Sequence, residues 1–427
     1  MEKITFEQLH EEMYYEKLSN GLDVYVLPKK GFNKTYATFT TKYGSIDNHF
    51  LPPEKEDYVK VPDGIAHFLE HKLFEKEDGD VFQQFSKQGA SANAFTSFTR
   101  TAYLFSSTSN VEKNLETLID FVQDPYFTEK TVEKEKGIIG QEITMYDDNP
   151  DWRLYFGLIQ NMYKNHPVKI DIAGTIESIS HITKDMLYEC YHTFYHPSNM
   201  LLFIVGPVDQ EQIMNMVKDN QAGKEYKELP DIKRKFAEEP AEVAMKKQVL
   251  EMNVQTSKCL VGIKARNVSQ SGKDMLKTEL SLNVMLDILF GKSSDHYSSL
   301  YNEGLIDETF SFDYTQEAGF GFAMVGGDTS NPDLLAQKLQ AILMEAKGTI
   351  TTESLERTKK KKIGAFLRAV NSPEYIANQF TRYAFNEMNL FDVVPTLESI
   401  TLADIEKAAN ELIAEDRFTV CQVVPKK

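Results

Sequence analysis

The hydrophobic pattern alternates between the two-residue period of strands and the longer period of helices. Leu22, Val24 and Val26 alternate after a Ser19-Asn20-Gly21 turn, which predicts a hairpin within 14–45. A further strand is predicted over 35–44. The Thr- and Phe-rich run 88–108 predicts two extended strands joined by a short turn.

Helical periodicity is clearest over 111–124 and 128–147, and an apolar run at 199–209 predicts a buried strand. Another helix is expected after Pro62-Asp63-Gly64, with Asp63 as its N-terminal cap. The first half of the chain therefore mixes strands and helices.

The second half repeats the first in order, although few residues are identical. Residues 69–76 (LEHKLFEK) resemble 285–292 (MLDILFGK), and 199–207 (NMLLFIVGP) are echoed by 417–425 (RFTVCQVVP). We therefore predict an α+β protein of two tandem homologous domains, each a mainly antiparallel mixed sheet packed with several helices. The expected boundaries are 1–221 and 248–427, joined by the charged, proline-containing linker 222–247.

The composition of the chain excludes some classes of function. A chain of 427 residues is long enough for two cores, and a formal net charge of −17 argues against a nucleic-acid or anionic-membrane binder. Three widely spaced cysteines give no disulfide framework and suit a reducing compartment. The first 18 residues lack the apolar core of a secretory signal, so we expect a cytoplasmic protein.

The most informative motif is His67-Phe68-Leu69-Glu70-His71. On a helix, His67 and His71 lie one turn apart on one face and can bind a single Zn²⁺. Glu70 points to the same side and can face a water molecule without binding the metal. The alternative is two ordinary helix histidines beside a surface glutamate.

The internal repeat favours the chemical interpretation. Aligning Phe74 with Phe290 places His67, Glu70 and His71 opposite Asn283, Leu286 and Asp287. The second copy thus keeps the helix and loses the candidate ligands, so folding does not require them. A catalytic zinc site needs a third protein ligand. Glu135 and Glu142, two turns apart on the predicted helix 128–147, are the candidates. Aligning Pro150 with Pro373 places them opposite Thr358 and Ala365, so the repeat loses both.

Several segments together resemble the insulinase (pitrilysin) family of inverted zinc peptidases. They are GIAHFLEHKLF, QGASANAFTSFTRTAYLF, EKEKGIIGQEI, HPVKIDIAGTIESISHIT and YHPSNMLLFIVG. The resemblance implies His67, His71 and Glu142 as zinc ligands and Glu70 as the general base. It places Glu135 at a supporting catalytic position that orients His71 or Glu142. It also implies that Asn93, Ala94 and Phe95 lie on an edge strand that pairs with the main chain of a peptide substrate.

The sequence departs from the family pattern in its second half. Where complete members carry an arginine and a tyrosine that stabilise substrate carbonyl oxygens, this chain has Tyr301 and Asp307. We therefore expect a related subunit without the metal motif, or a second copy of this chain, to complete the site. The predicted function is that of a zinc endopeptidase subunit acting on peptides. The alternatives are a non-catalytic assembly subunit and a maturation protease for one precursor.

Two other features are expected to be structural. His192 and His196 also lie four residues apart, but no glutamate separates them and Pro197 ends the helix. The basic run Lys359 to Lys362 is predicted to lie on a solvated helix face, although a wall that attracts acidic peptides is an alternative.

Overall fold

The computed structural model describes residues 1–53, 55–77, 79–266, 268–346 and 348–426. Their contacts divide the chain into two compact units. The first comprises Met1–Ile143, Ile170–Phe236 and Ala369–Phe385, and the second comprises Thr144–Lys169, Ala237–Arg368 and Asn386–Lys427. The domain boundaries at 221 and 248 remain a prediction about the homologous halves.

The strands are short, and most belong to two sheets. In chain order they are β1 (Glu2–Phe6), β2 (Glu11–Lys17), β3 (Asp23–Pro28), β4 (Thr35–Thr41), β5 (His49–Leu51), β6 (Val59–Lys60), β7 (Glu75–Lys76), β8 (Gly79–Asp80), β9 (Ala90–Thr96), β10 (Thr101–Ser107), β11 (Met200–Gly206), β12 (Lys233–Arg234), β13 (Lys247–Met252), β14 (Ser257–Lys264), β15 (Ser311–Glu317), β16 (Phe320–Thr329) and β17 (Phe418–Pro425).

The helices vary from five to nineteen residues in length. In chain order they are α1 (Ile65–Leu73), α2 (Phe82–Lys87), α3 (Val111–Val122), α4 (Glu129–Asp147), α5 (Pro150–Met162), α6 (Ile176–Ser180), α7 (Lys184–Phe194), α8 (Gln210–Ala222), α9 (Gly272–Phe290), α10 (Asp295–Asn302), α11 (Pro332–Glu345), α12 (Thr352–Ala369), α13 (Pro373–Phe385), α14 (Val393–Ser399) and α15 (Leu402–Leu412).

The first unit is built on a seven-stranded sheet in the order β1-β2-β3-β11-β4-β10-β9. Its pairings are antiparallel except for the parallel pair β3 and β11. Every residue of β4 and of β11 is buried, as expected for central strands covered on both faces. The strand β9 lies at one edge of this sheet.

The second unit contains a five-stranded sheet in the order β13-β17-β14-β16-β15. It also has one parallel pair, β13 and β17, among antiparallel pairs. β17 therefore takes the place that β11 has in the first sheet, and β15 takes the edge place of β9. The shared strand order confirms the predicted α+β class with two copies of one mixed-sheet fold.

One helix of each half belongs to the unit formed mainly by the other half. Helix α5 packs on β14 and β17 in the second unit, and α13 packs on β4 and β11 in the first. Both helices begin with a proline at the first position, Pro150 and Pro373, where a missing amide hydrogen is tolerated. These are the prolines that the repeat alignment superimposes, so the exchange is reciprocal.

Three local predictions for the first half are confirmed. The first hairpin turns through Gly21, the run 88–108 forms the antiparallel pair β9 and β10, and the long helix spans Glu129–Asp147. The predicted cap Asp63 is wrong, because Gly64 holds that position and Asp63 accepts a hydrogen bond from Asn48 instead. None of the described helices is long and apolar enough to cross a bilayer.

Candidate metal and peptide site

Helix α1 carries the two motif histidines and is fixed at its start by a close backbone approach. Gly64 has a φ of 88°, and a Cβ atom there would lie 2.3 Å from the carbonyl oxygen of Ala173. Only glycine fits both the conformation and the space. The helix is buried along almost its whole length, including His67 and Glu70.

His67 and His71 face the same side of α1, with their ring centroids 4.5 Å apart. Helix α4 brings Glu142 to them. Its Oε2 atom lies 3.8 Å from Nε2 of His67 and 3.6 Å from Nε2 of His71. One donor atom from each of the three side chains lies within 4.8 Å of the others.

The donor set fits a zinc ion. Tetrahedral zinc with bonds of about 2.0–2.1 Å separates its ligand atoms by about 3.3 Å. The distances from Glu142 to the two rings are slightly larger than this value, so the side chains need only small movements to bind zinc. Two imidazoles, one carboxylate and an open fourth position form the ligand arrangement of catalytic zinc sites.

Glu135 lies two turns before Glu142 on α4 and contacts His71. Its Oε1 atom lies 3.1 Å from Nδ1 of His71, and its side chain is only 10% exposed. Although burial opposes both charged forms, this hydrogen bond and the neighbouring charges raise the pKa of His71 and lower that of Glu135. The contact directs the other nitrogen of His71 toward Glu142.

His67 differs from His71 in its surroundings. Its Nδ1 atom is buried and makes no hydrogen bond to any described residue. Burial, with a smaller contribution from the charge of His71, lowers the pKa of His67 to about 3. The ring is therefore neutral at physiological pH, which is the form that binds metal.

Glu70 is 7% exposed and receives a short hydrogen bond from the hydroxyl group of Thr96, the last residue of β9. Burial raises the pKa of Glu70 to about 7, against the opposing effects of Thr96 and His71. A carboxyl group with a pKa near neutrality can both accept and release a proton at physiological pH.

The strand β9 carries Asn93, Ala94 and Phe95 and pairs with β10 on one side. Its position at the edge of the sheet leaves its other side free of a strand partner among the described residues. Backbone groups on such an edge can pair with an added extended chain. A cavity of about 650 Å³ joins this edge to the metal site, since Asn93, Ala94, Glu70 and His71 all line it.

Two contacts of this site did not emerge from the sequence. Lys72 is fully buried, forms an ion pair with Glu75, and lies 3.9 Å from Glu135. Thr96 holds Glu70, as described above. Charged residues are almost never fully buried without a partner. The presence of Lys72 in an otherwise apolar helix face was therefore the sequence signal that could have predicted its contacts with Glu75 and Glu135.

The second copy shows what replaces the lost ligands. Asn283 hydrogen-bonds the backbone N–H and carbonyl groups of Tyr314 on β15, and Asp287 pairs with Lys361 at 2.7 Å. Lys359 is buried and donates to the carbonyl oxygens of Glu398 and Ile400, so the prediction of a solvated face was wrong for this lysine. In the second copy, residues that make structural contacts thus occupy the positions of the lost ligands.

The remaining predicted residues lie outside the metal cluster. Tyr301 is 56% exposed on α10, and Asp307 accepts hydrogen bonds from Thr309 in an exposed turn. The ring nitrogens of His196 contact Ser198 and the carbonyl oxygen of Lys227, in keeping with the structural role predicted for it.

Two protein-family models match successive parts of the chain. The family model described as insulinase (peptidase family M16) matches residues 59–176, and the model described as the peptidase M16 inactive domain matches residues 181–362. The first range contains the three candidate ligands, and the second contains Asn283 and Asp287, which replace the histidines.

Individual relatives cover nearly the whole chain. A Bacillus subtilis protein described as an uncharacterized zinc protease, YmfH, is 71% identical over 423 residues, which are 99% of each chain. Zinc protease PqqE of Helicobacter pylori is 24% identical, covering 98% of this chain and 95% of that protein. A crystal structure described as a candidate M16-like peptidase from Alicyclobacillus acidocaldarius superimposes with a TM-score of 0.94 at 41% identity, covering 97% of this chain and 99% of that one. The chain belongs to the insulinase family of peptidases, family M16.

Proposed function

We propose that the chain is a zinc-dependent endopeptidase subunit that hydrolyses peptides or unstructured segments. The observation that carries the proposal is the grouping of donor atoms from His67, His71 and Glu142 within 4.8 Å, beside the buried carboxyl group of Glu70. When bound, zinc would polarise a peptide carbonyl group and make a coordinated water molecule more acidic.

The side chains around the metal site would carry out the remaining functions in the reaction. Glu70, with its pKa raised to about 7, would take a proton from water and give it to the leaving amine. Glu135 would hold His71 in the orientation that presents its Nε2 atom. Asn93, Ala94 and Phe95 would bind the substrate main chain by strand addition, which reads little of the side-chain sequence.

We further propose that carbonyl-binding groups come from another subunit. The family positions for an arginine and a tyrosine hold Tyr301 and Asp307 here, and an aspartate cannot stabilise a developing negative charge. A related subunit without the metal motif would supply them, or else a second copy of this chain. The three buried free cysteines support a reducing compartment, which we take to be the cytoplasm.

The test combines metal analysis with peptide cleavage. The purified chain should hold about one zinc per molecule. It should cleave unstructured peptides slowly alone and much faster with a related subunit encoded beside it. Full activity of the isolated chain as a monomer would refute the shared site, and zinc binding without cleavage under either condition would favour a non-catalytic assembly subunit. Cleavage of one precursor only would indicate a maturation protease.

A further inference from the structure

The carboxyl group of Glu70 is held at one of its two oxygens. Thr96, the last residue of β9, donates a hydrogen bond from its hydroxyl group to Oε2 of Glu70 on α1. This is the only hydrogen bond that the carboxyl group makes with a described residue, so Oε1 stays unbonded. Glu70 also lines the cavity beside the metal cluster. One oxygen is therefore fixed while the other remains available for proton transfer.

The neighbours of Thr96 leave its hydroxyl hydrogen to Glu70. Thr101 lies opposite Thr96 on β10, and the two hydroxyl oxygens are 3.4 Å apart. A hydroxyl group has a single hydrogen, and Thr101 donates its own to the carbonyl oxygen of Tyr43 at 2.9 Å. Of the two acceptors within reach of Thr96, the Glu70 carboxylate is the nearer and the charged one, so it receives the stronger bond.

The turn that follows Thr96 is fixed by the loop after β4. The backbone amides of residues 45 and 46 donate to the carbonyl oxygens of residues 97 and 98 at 3.0 and 3.1 Å. Gly44 permits this close approach, since a Cβ atom there would lie 2.4 Å from the carbonyl group of Phe98. The fold itself therefore sets the position of Thr96 relative to α1.

Folding does not explain the contact between Thr96 and Glu70. Burying a carboxyl group costs free energy, and the second copy has the fully buried Leu286 where the first has Glu70. The strand β15, which takes the edge place of β9, ends at Glu317, and Glu317 accepts a hydrogen bond from Asn386 at 2.6 Å. The second copy thus loses the contact together with the metal ligands, as expected of a contact that serves the reaction.

We propose that Thr96 is a positioning residue for Glu70, because its hydroxyl group holds Oε2 and leaves Oε1 facing the water molecule and the leaving amine. The inference rests on the proposed peptidase function and adds a residue to it. Thr96 directs its side chain to α1, whereas strand addition on β9 uses backbone groups. The hydroxyl group therefore affects the chemical step and not the binding of the peptide.

Thr96→Val tests this inference because it removes the hydroxyl group and keeps the branched shape. Cleavage of an unstructured Ala/Ser peptide with a fluorophore and a quencher at its ends is measured with zinc-loaded protein, under the condition in which the parent chain cleaves fastest. We expect kcat to fall at least about tenfold, the lower limit for loss of a hydrogen bond to a charged group. KM should stay within about twofold of the parent value. Thr96→Ser keeps the hydroxyl group and should retain kcat within about threefold.

Two controls separate positioning from a general loss of structure. Thr40→Val makes the same change on β4 of the same sheet, where the buried hydroxyl group bonds no described residue, and it should leave kcat unchanged. Zinc affinity, measured by competition against a chromophoric chelator, should be the same in Thr96→Val and the parent chain. In crystal structures, the carboxyl group of Glu70 should keep its place in Thr96→Ser and turn away in Thr96→Val.

The outcomes separate this inference from the one beneath it. Unchanged kcat in Thr96→Val, or an equal fall in Thr96→Ser or Thr40→Val, would overturn positioning by the hydroxyl group and leave the peptidase proposal intact. Loss of zinc or a rise in KM in place of the fall in kcat would assign Thr96 a structural or binding role instead. Failure of the parent chain to cleave any peptide would overturn both proposals.

Discussion

Replacing Glu135 with glutamine tests whether this residue supports the metal site through His71. The change keeps the shape and one oxygen acceptor but removes the charge. The Oε1–Nδ1 distance of 3.1 Å is longer than the best charge-assisted bonds of about 2.7–2.9 Å, and Lys72 shares the carboxylate at 3.9 Å. For both reasons we expect the loss of zinc affinity to lie at the lower end of the range found for residues that orient a metal ligand.

The expected magnitude follows from two estimates. A hydrogen bond to a charged group contributes about 1.5–3 kcal/mol and a neutral one about 0.5–1.5 kcal/mol, so the difference is about 1–1.5 kcal/mol. Loss of a group that orients a ligand typically weakens metal binding by about 10–100-fold. We therefore expect zinc affinity to fall about tenfold in Glu135→Gln, which corresponds to about 1.4 kcal/mol.

The assay is competition for zinc against a chromophoric chelator at pH 7.5, with circular dichroism to verify folding. Glu133→Gln is the matched control because this glutamate lies two residues away on α4 with its side chain 70% exposed. Its zinc affinity should stay within about twofold of the parent chain. Equal zinc affinities for the two variants would refute the orienting role of Glu135.

The remaining predictions concern stability. Burial lowers the pKa of His166 to about 4, so the unfolded chain gains this proton near pH 6.5 and the folded chain only near pH 4. Between these pH values the folded state should lose about 3 kcal/mol, and His166→Asn should flatten that part of the pH dependence measured by urea unfolding. Gly64→Ala should cost at least about 2 kcal/mol, because φ is 88° and Ala173 blocks the Cβ atom. Gly137→Ala in α4 should instead stabilise by about 0.5–1 kcal/mol, since nothing lies within 4 Å of the added atom, and thermal melting of the two variants should shift in opposite directions.

Much of the fold and most of the candidate cluster could be predicted from periodicity and from the internal repeat. Helix α1, helix α4 and the pair β9 and β10 have strong local patterns. The repeat exposed the loss of ligands in the second copy, which a single domain would not have shown.

The features of the fold and of the site that could not be predicted depend on contacts between residues distant in sequence. The local pattern predicts that α5 and α13 each have an apolar face, but it does not specify the sheet on which that face packs, so the exchange could not be predicted. The cap at Gly64 depends on Ala173, more than one hundred residues away. The hydrogen bond from Thr96 to Glu70 likewise joins the end of a strand to a helix, and no sequence pattern predicts it.

The central claim is that His67, His71 and Glu142 bind zinc while Glu70 moves the proton. The most direct measurement compares the zinc content and peptide cleavage of the parent chain and of Glu70→Gln, each with the related subunit present. The account predicts about one zinc per chain in both proteins and loss of cleavage by at least about a hundredfold in the variant. Unchanged cleavage in Glu70→Gln, or absence of zinc from the parent chain, would contradict it.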